Sequence, residues 1–352
     1  MNQNAHNIYI HVPFCRSKCK YCAFFSHPCV EPDWDGYTER ICTEIAYWGQ
    51  KLGHILVPTV FFGGGTPSLV PQVNMAQIIT TLRKHFIIPD NAEISLEANP
   101  ATIDKDKLYA LQHLGFSRLS VGVQRLDDKE LRFLGRIHTS VEAIELLDIA
   151  MGLNMHVSGD FIYGIPGDTV ANVIKICKKI NSIGLRHCSL YELTIEKDSV
   201  FGKMNLDMPS NEEMADMYQA ISQHLCLPRY EVSNYATSGD HCHHNQNVWD
   251  GEPYIGIGQG AAGRVLLDGI WYEQSGNFAL FEPLSTKARA IEKILTGMRT
   301  VRGCQLTQDV KNVIDMDWVT AHPQYVQISD GRISATASGL LILDSIITNM
   351  VE

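Results

Sequence analysis

Three cysteines, Cys15, Cys19 and Cys22, close the run Tyr9-Ile10-His11-Val12-Pro13-Phe14-Cys15-Arg16-Ser17-Lys18-Cys19-Lys20-Tyr21-Cys22. The C-x3-C-x2-C spacing, directly after an apolar stretch, places three soft thiolates on one short loop, a donor set suited to an iron–sulfur cluster. A [4Fe–4S] cube has four irons, so three cysteines leave one iron open to a bidentate amino-carboxylate ligand. Structural zinc is the competing chemistry, with His27 or Cys29 as the fourth donor. Such sites usually take paired CxxC knuckles, and here only Cys19 and Cys22 form one.

A second chemical run is Phe61-Phe62-Gly63-Gly64-Gly65-Thr66-Pro67-Ser68. Alone, a glycine run reads as a tight turn. At the end of a buried strand, and in the same chain as the cysteine loop, glycines let the backbone approach a ligand and offer carbonyls to an ammonium group. The methionine end of S-adenosylmethionine (SAM) has the shape the open iron requires.

These residues must be positioned by regular elements, and the chain alternates β-rich runs with helical periods. Strands are predicted over 7–12, 59–62, 93–97, 119–123, 156–162 and 188–193. Tyr37, Ile41, Ile45 and Trp48 recur at helical spacing, and Leu108, Leu111 and Leu114 follow Asp104 as a cap. Strand then helix, six times over, implies parallel strands with crossover helices, an α/β class arranged as a partial (β/α)6 TIM-like barrel. The cysteines, the glycines, Glu97, Gln124 and Asp160 all fall at or near strand ends, where such folds keep their chemistry. From 230 to 263 the periodicity lapses into Gly, His, Asn and aromatic residues, predicting a loop-and-strand bridge. Beyond it, helices are expected over 288–298 and 309–318, a hairpin over 325–334 turning at Asp330-Gly331, and a helix from Ala337. They form a smaller C-terminal α+β unit of winged-helix type. The expected organisation is 1–235, a bridging segment 236–285, and 286–352.

With a net charge of −10 over 352 residues, a nucleic-acid surface is not expected, because such binding needs clustered Lys and Arg. No basic-then-apolar signal opens the chain, and no apolar run approaches the roughly 20 residues of a membrane span. A cytosolic protein is expected, which leaves peripheral membrane contact open. Its ten cysteines are then reduced thiols. Outside the loop, Cys42, Cys177, Cys188 and Cys226 read as small buried hydrophobes.

Cys15, Cys19, Tyr21 and Cys22 match the C-x3-C-x-aromatic-C signature, and in this the chain resembles the radical-SAM superfamily. That resemblance implies a [4Fe–4S] cluster that reduces SAM to release a 5′-deoxyadenosyl radical, with Tyr21 beside the adenine. It narrows to the oxygen-independent coproporphyrinogen dehydrogenase (HemN/HemW) group through the two runs above, Leu96-Glu97-Ala98-Asn99-Pro100, Ser120-Val121-Gly122-Val123-Gln124, Leu134-Gly135-Arg136-Ile137-His138 and the segment 160–167. What it implies is Tyr9 near the methionine end of SAM, Gly64, Gly65 and Thr66 around the amino group, and Glu97 and Gln124 on polar groups. Arg136 would take the carboxylate and Asp160 a ribose hydroxyl. An arginine fork pairs a carboxylate bidentately, and a strand-end carboxylate accepts from a diol, although either residue alone is more often a surface charge.

Two branches of the group look alike. The dehydrogenases carry an extra cysteine two residues after the triad and a longer N-terminal segment; here position 24 is Phe24, and only fourteen residues precede Cys15. Both features resemble the heme-chaperone (HemW) branch, as do the 230–236, 244–249 and 254–263 runs, the region of Arg299 and Gly303, and the helix from Ala337. Val248 stands where that branch has tyrosine in HNxxYW, and Ala262 where it has histidine in GAHG. The resemblance implies a third cofactor, heme, and an acceptor protein that receives it. The alternative is a coproporphyrinogen dehydrogenase or another radical-SAM tetrapyrrole enzyme. Heme needs an axial donor, an apolar slot and basic groups for its propionates. His241, Cys242, His243 and His244 form a dense set that reads equally as donors or as polar loop residues.

Overall fold

The computed structural model describes residues 5–275 and 281–351. The outer ends of the expected 1–235 and 286–352 units, and residues 276–280 of the bridge, lie outside the described residues. The six predicted strands form at the predicted places: β1 (Asn7–Val12), β2 (Thr59–Gly64), β3 (Glu93–Ala98), β4 (Arg118–Gln124), β5 (His156–Tyr163) and β6 (His187–Glu192). They pair in parallel in sequential order, with Ile8 opposite Val60, Val60 opposite Ile94, Leu96 opposite Leu119 and Leu119 opposite Val157. Crossover helices shield the sheet, so Ile8, Ile10, Val60, Phe62, Leu96, Leu119 and Val121 are buried in one continuous core.

The crossover helices follow from their caps and stripes. Asp33 accepts from the Gly36 N–H to start Trp34–Leu52, which buries Tyr37, Ile41, Ile45 and Trp48. Asp104 accepts from the Lys107 N–H to start Lys105–His113.

The bridge is more regular than its composition suggests. It supplies β7 (Asn234–Ala236), a helix over His243–Trp249, and β8 (Tyr254–Ile257), β9 (Ala262–Leu267), β10 (Ile270–Ser275) and β11 (Phe281–Pro283). β7 adds antiparallel to β6, while β8 returns to pair in parallel with β1 and starts an antiparallel run to β11. Among the described residues the result is one sheet of eleven strands, ordered β11-β10-β9-β8-β1-β2-β3-β4-β5-β6-β7.

The C-terminal residues build a second hydrophobic cluster around Ile294, Met298, Val310, Ile333, Ile346 and Met350. Its sheet is β12 (Cys304–Gln305), β13 (Val326–Ser329) and β14 (Arg332–Ala335), ordered β12-β14-β13. The predicted hairpin is present; Asp330 and Gly331 both hold positive φ, 50° and 70°, as a two-residue turn between right-twisted strands requires. The helix expected over 309–318 is instead two, Gln308–Lys311 and Met316–Ala321, because Asp315 caps a new helix by accepting from the Trp318 N–H. Cys177 and Cys188 are buried as expected, but Cys42 is only half-buried and Cys226 is exposed, in the loop that follows the Asn211–His224 helix. Among the described residues no helix is long and apolar enough to cross a membrane.

Candidate functional site

The cysteine loop begins where β1 ends. Phe14–Cys15 pairs in parallel with His27–Pro28, which closes the loop on itself. Within it the Cys22 N–H donates to the Cys19 carbonyl at 3.2 Å and the Lys20 N–H to the Leu134 carbonyl at 3.0 Å. Thr66 Oγ1 donates to Cys15 Sγ at 3.4 Å and Arg136 Nη1 to Cys19 Sγ at 3.3 Å. Among the described residues no three His, Cys, Asp or Glu side chains converge on a single metal ion. A cluster sets each thiolate on its own iron and needs no such convergence. His27 and Cys29, the alternative zinc donors, do not line the cavity that the three cysteines share.

That cavity encloses about 430 Å³ and is walled by Cys15, Cys19, Tyr21 and Cys22 on one side. The ends of the strands bring Gly64, Gly65, Thr66, Glu97, Gln124, Arg136 and Asp160 to the same space. The glycines do more than turn the chain. Gly65 donates its N–H to the Val12 carbonyl at 2.7 Å. A Cβ there would stand 2.7 Å from the Phe14 oxygen, so only glycine lets β2 run against the cysteine loop. Gly64 donates its N–H to Glu97 Oε2 at 3.1 Å.

Arg136 enters after the helix Asp128–Leu134. Its Nη2 donates to the Gly122 carbonyl at 2.7 Å, while Nε is buried with no partner. No carboxylate pairs with this guanidinium among the described residues, so the site holds a cation in want of an anion. Burial, and then the Asp160 charge, push the Glu97 carboxyl up to about 8, against the pull of the Gly64 N–H. Burial likewise raises Asp160, although it accepts from Ser120 Oγ at 2.6 Å and Ser158 Oγ at 3.2 Å. Gln124 sits beyond a register shift in β4 with φ of 65°, a conformation that costs a non-glycine residue about 1 kcal/mol or more and aims its side chain at the cavity.

Tyr9 stands apart from the others. Its ring stacks on Phe61 and lies behind Gly63, its hydroxyl bonds His11 Nδ1 at 3.0 Å, and it does not line the cavity. Ser120, the first residue of the Ser120–Gln124 run, also lines it; Tyr191, Thr194 and Glu196 do so without a motif signal, brought there by the end of β6 and the segment after it. Phe24, 70% exposed, forms part of the rim.

The histidine-rich segment lies elsewhere, at the N-terminal ends of the strands. Glu93, the first residue of β3, accepts the N–H groups of His243 at 3.1 Å and His244 at 2.9 Å, and pairs with Arg118 Nε at 2.8 Å. Arg118 Nη2 in turn donates to the carbonyls of Asp240 and His241. His244 is buried with Nδ1 2.8 Å from Thr59 Oγ1, and Cys242 is buried beside Glu93. Two of the four candidate heme donors therefore serve the packing of this corner, and His241 stacks on Tyr230 at 4.2 Å.

A parallel sheet whose first strand delivers three cysteines to a cavity shared with a glycine run and a buried arginine defines a radical SAM protein, and residues 9–180 match the Radical SAM superfamily. The chain is 35% identical over 271 residues to the heme chaperone HemW of Escherichia coli, covering 74% of this chain and 70% of that one. It is 28% identical over 370 residues to that of Mycobacterium tuberculosis, covering 98% and 94%. The chain belongs to the HemW family. Its fold is that of the solved structure of the radical SAM enzyme coproporphyrinogen III oxidase (HemN) from Escherichia coli, with a TM-score of 0.81 at 19% identity over 98% of this chain and 89% of the other. The superfamily's cofactors are a [4Fe–4S] cluster and SAM, which together supply one-electron chemistry, and the residues present fit them: three thiolates, a glycine-lined edge and an unpaired guanidinium.

Proposed function

We propose that this protein is a heme chaperone, binding heme and passing it to an acceptor protein in the cytoplasm while carrying a [4Fe–4S] cluster with exchangeable SAM. The observation that carries this reading is the extent of the likeness to proteins named heme chaperone HemW, which with the Mycobacterium tuberculosis protein runs over nearly the whole of both chains. Phe24 supports it, since an exposed phenylalanine occupies the rim position where the dehydrogenase branch has a cysteine. The acceptor is a protein, reached in solution or through peripheral membrane contact.

In this reading Cys15, Cys19 and Cys22 hold the cluster. Arg136 takes the SAM carboxylate; Gly64, Gly65 and Thr66 surround its amino group; and Glu97 and Gln124 bind polar groups. Asp160 takes a ribose hydroxyl, Tyr21 flanks the adenine, and Tyr9 backs the methionine end from behind Gly63. The 1–235, 236–285 and 286–352 divisions would carry, in turn, the cluster, the connection and a small accessory unit. Titrating hemin into the anaerobically reconstituted protein is the test. A saturable Soret shift near one equivalent is expected; a shift that rises without saturation would reject the reading.

A further inference from the structure

Two further cavities, of about 680 and 310 Å³, meet where the bridge strands face the C-terminal residues, and both are lined by Trp271, Lys293 and Thr307. Together they form a cleft within the roughly 300–1,000 Å³ range of ligand sites, larger than the cavity at the cysteines. Trp249, Pro253, Leu266 and Trp271 give it apolar faces. Trp249 is the last residue of the 243–249 helix, so the helix whose start is pinned by Glu93 delivers an indole at its other end.

The cleft also carries two cations, one without a partner and one only partly satisfied. Lys293 is half-buried, and among the described residues its ammonium makes no hydrogen bond or ion pair. Arg289 lies one turn earlier on the same face of the 286–297 helix, only 8% exposed, with its guanidinium 4.0 Å from the Trp271 ring centroid. It donates to Glu292 and to the Gly251 carbonyl, but its Nε is buried with no partner. The acids on the wall are Asp250, which Arg302 and Arg332 neutralise, with Glu252 and Asp309. Two cations about one helical turn apart, above an indole and beside a second, suit a flat aromatic body bearing two carboxylates.

We propose, resting on the heme-chaperone reading, that this cleft is the heme site: the tetrapyrrole lies against Trp249 and Trp271 with its propionates toward Lys293 and Arg289. The position has a consequence for chemistry. Gly251, Glu252 and Pro253 immediately precede β8, which runs parallel to β1, so the cleft adjoins the N-terminal end of the sheet, whereas the cysteines follow the C-terminal end of β1. Six residues of β1 at about 3.3 Å each separate the two ends by roughly 20 Å. Heme held there is out of reach of a radical formed at the cluster.

The test is a hemin titration of the reconstituted full-length protein, its Lys293→Glu variant and its Lys293→Arg variant, with folding checked by circular dichroism. Lys293→Glu should weaken hemin binding about tenfold or more and Lys293→Arg should leave it near wild type, both keeping full cluster and SAM binding. The EPR signal of the reduced, SAM-bound cluster should not change when hemin is added. Equal hemin affinity in all three proteins, or a hemin-induced change in the cluster signal, would overturn the cleft while leaving the chaperone reading intact. Failure of the wild-type protein to bind hemin would remove that reading itself.

Discussion

Glu97 and Asp160 are two acids in one buried site, and the site resolves the conflict by keeping a proton. With the Glu97 carboxyl raised from 4.5 to about 8, the folded chain holds a proton between those values that the unfolded chain has lost. Its contribution to the stability of the unliganded protein therefore falls as pH rises through that window. The sulfonium cation of SAM, bound in the same cavity, would reverse the balance by favouring the carboxylate. At pH 7 SAM binding should release protons from Glu97 and from the amino group that takes the iron, visible as a binding enthalpy that differs between two buffers of unlike ionisation enthalpy, and Glu97→Gln should lessen the difference by about one proton. An unchanged buffer dependence in Glu97→Gln would remove Glu97 from contact with SAM. The motif residues were legible because each lies on one of the predicted parallel strands: Gly64, Glu97, Gln124 and Asp160 come to one cavity once the strands pair in order. Ser120, quoted only within a run, meets Asp160 from the neighbouring strand, a contact that depends on register across β4 and β5; Ser158 reaches it from two residues away on the same strand.

At the scale of elements, the 241–244 segment shows what composition leaves undecided. Four potential donors in a row look like a ligand set, but Glu93 and Arg118 draw this segment under the sheet and bury Cys242 and His244. Burial holds the His244 imidazole down at about 4, so it is neutral and bonded to Thr59 at neutral pH. Burial alone would raise the Glu93 carboxyl; Arg118 and the two backbone N–H groups hold it below the usual carboxylate range instead. Arg118→Met would strand that charge in the interior and should cost about 3–5 kcal/mol in anaerobic denaturant melts, whereas pairing it with Glu93→Leu should recover much of the loss. Equal stability of Arg118→Met and the wild type would show that the corner is held by other contacts. None of this was readable beforehand, since Arg118 lies more than a hundred residues from the carbonyls it binds.

At the scale of the whole molecule, the parallel core was legible and its edges were not. Alternating periods identify strands 1 to 6 because each repeat is local. The return of β8 to the side of β1 joins residues 7 and 254, and no local pattern encodes it. That return builds the cleft at one end of the sheet while the cysteines occupy the other, so one scaffold has room for a SAM-capped cluster and a cargo that do not meet. The most direct test is to incubate the anaerobically reconstituted protein with SAM, a strong reductant and coproporphyrinogen, and to follow protoporphyrinogen against a hemin-loaded parallel sample. No product over many enzyme equivalents of substrate, with hemin bound and recovered unaltered, is the result expected of a chaperone; multiple turnovers to protoporphyrinogen would contradict it and make the protein a dehydrogenase.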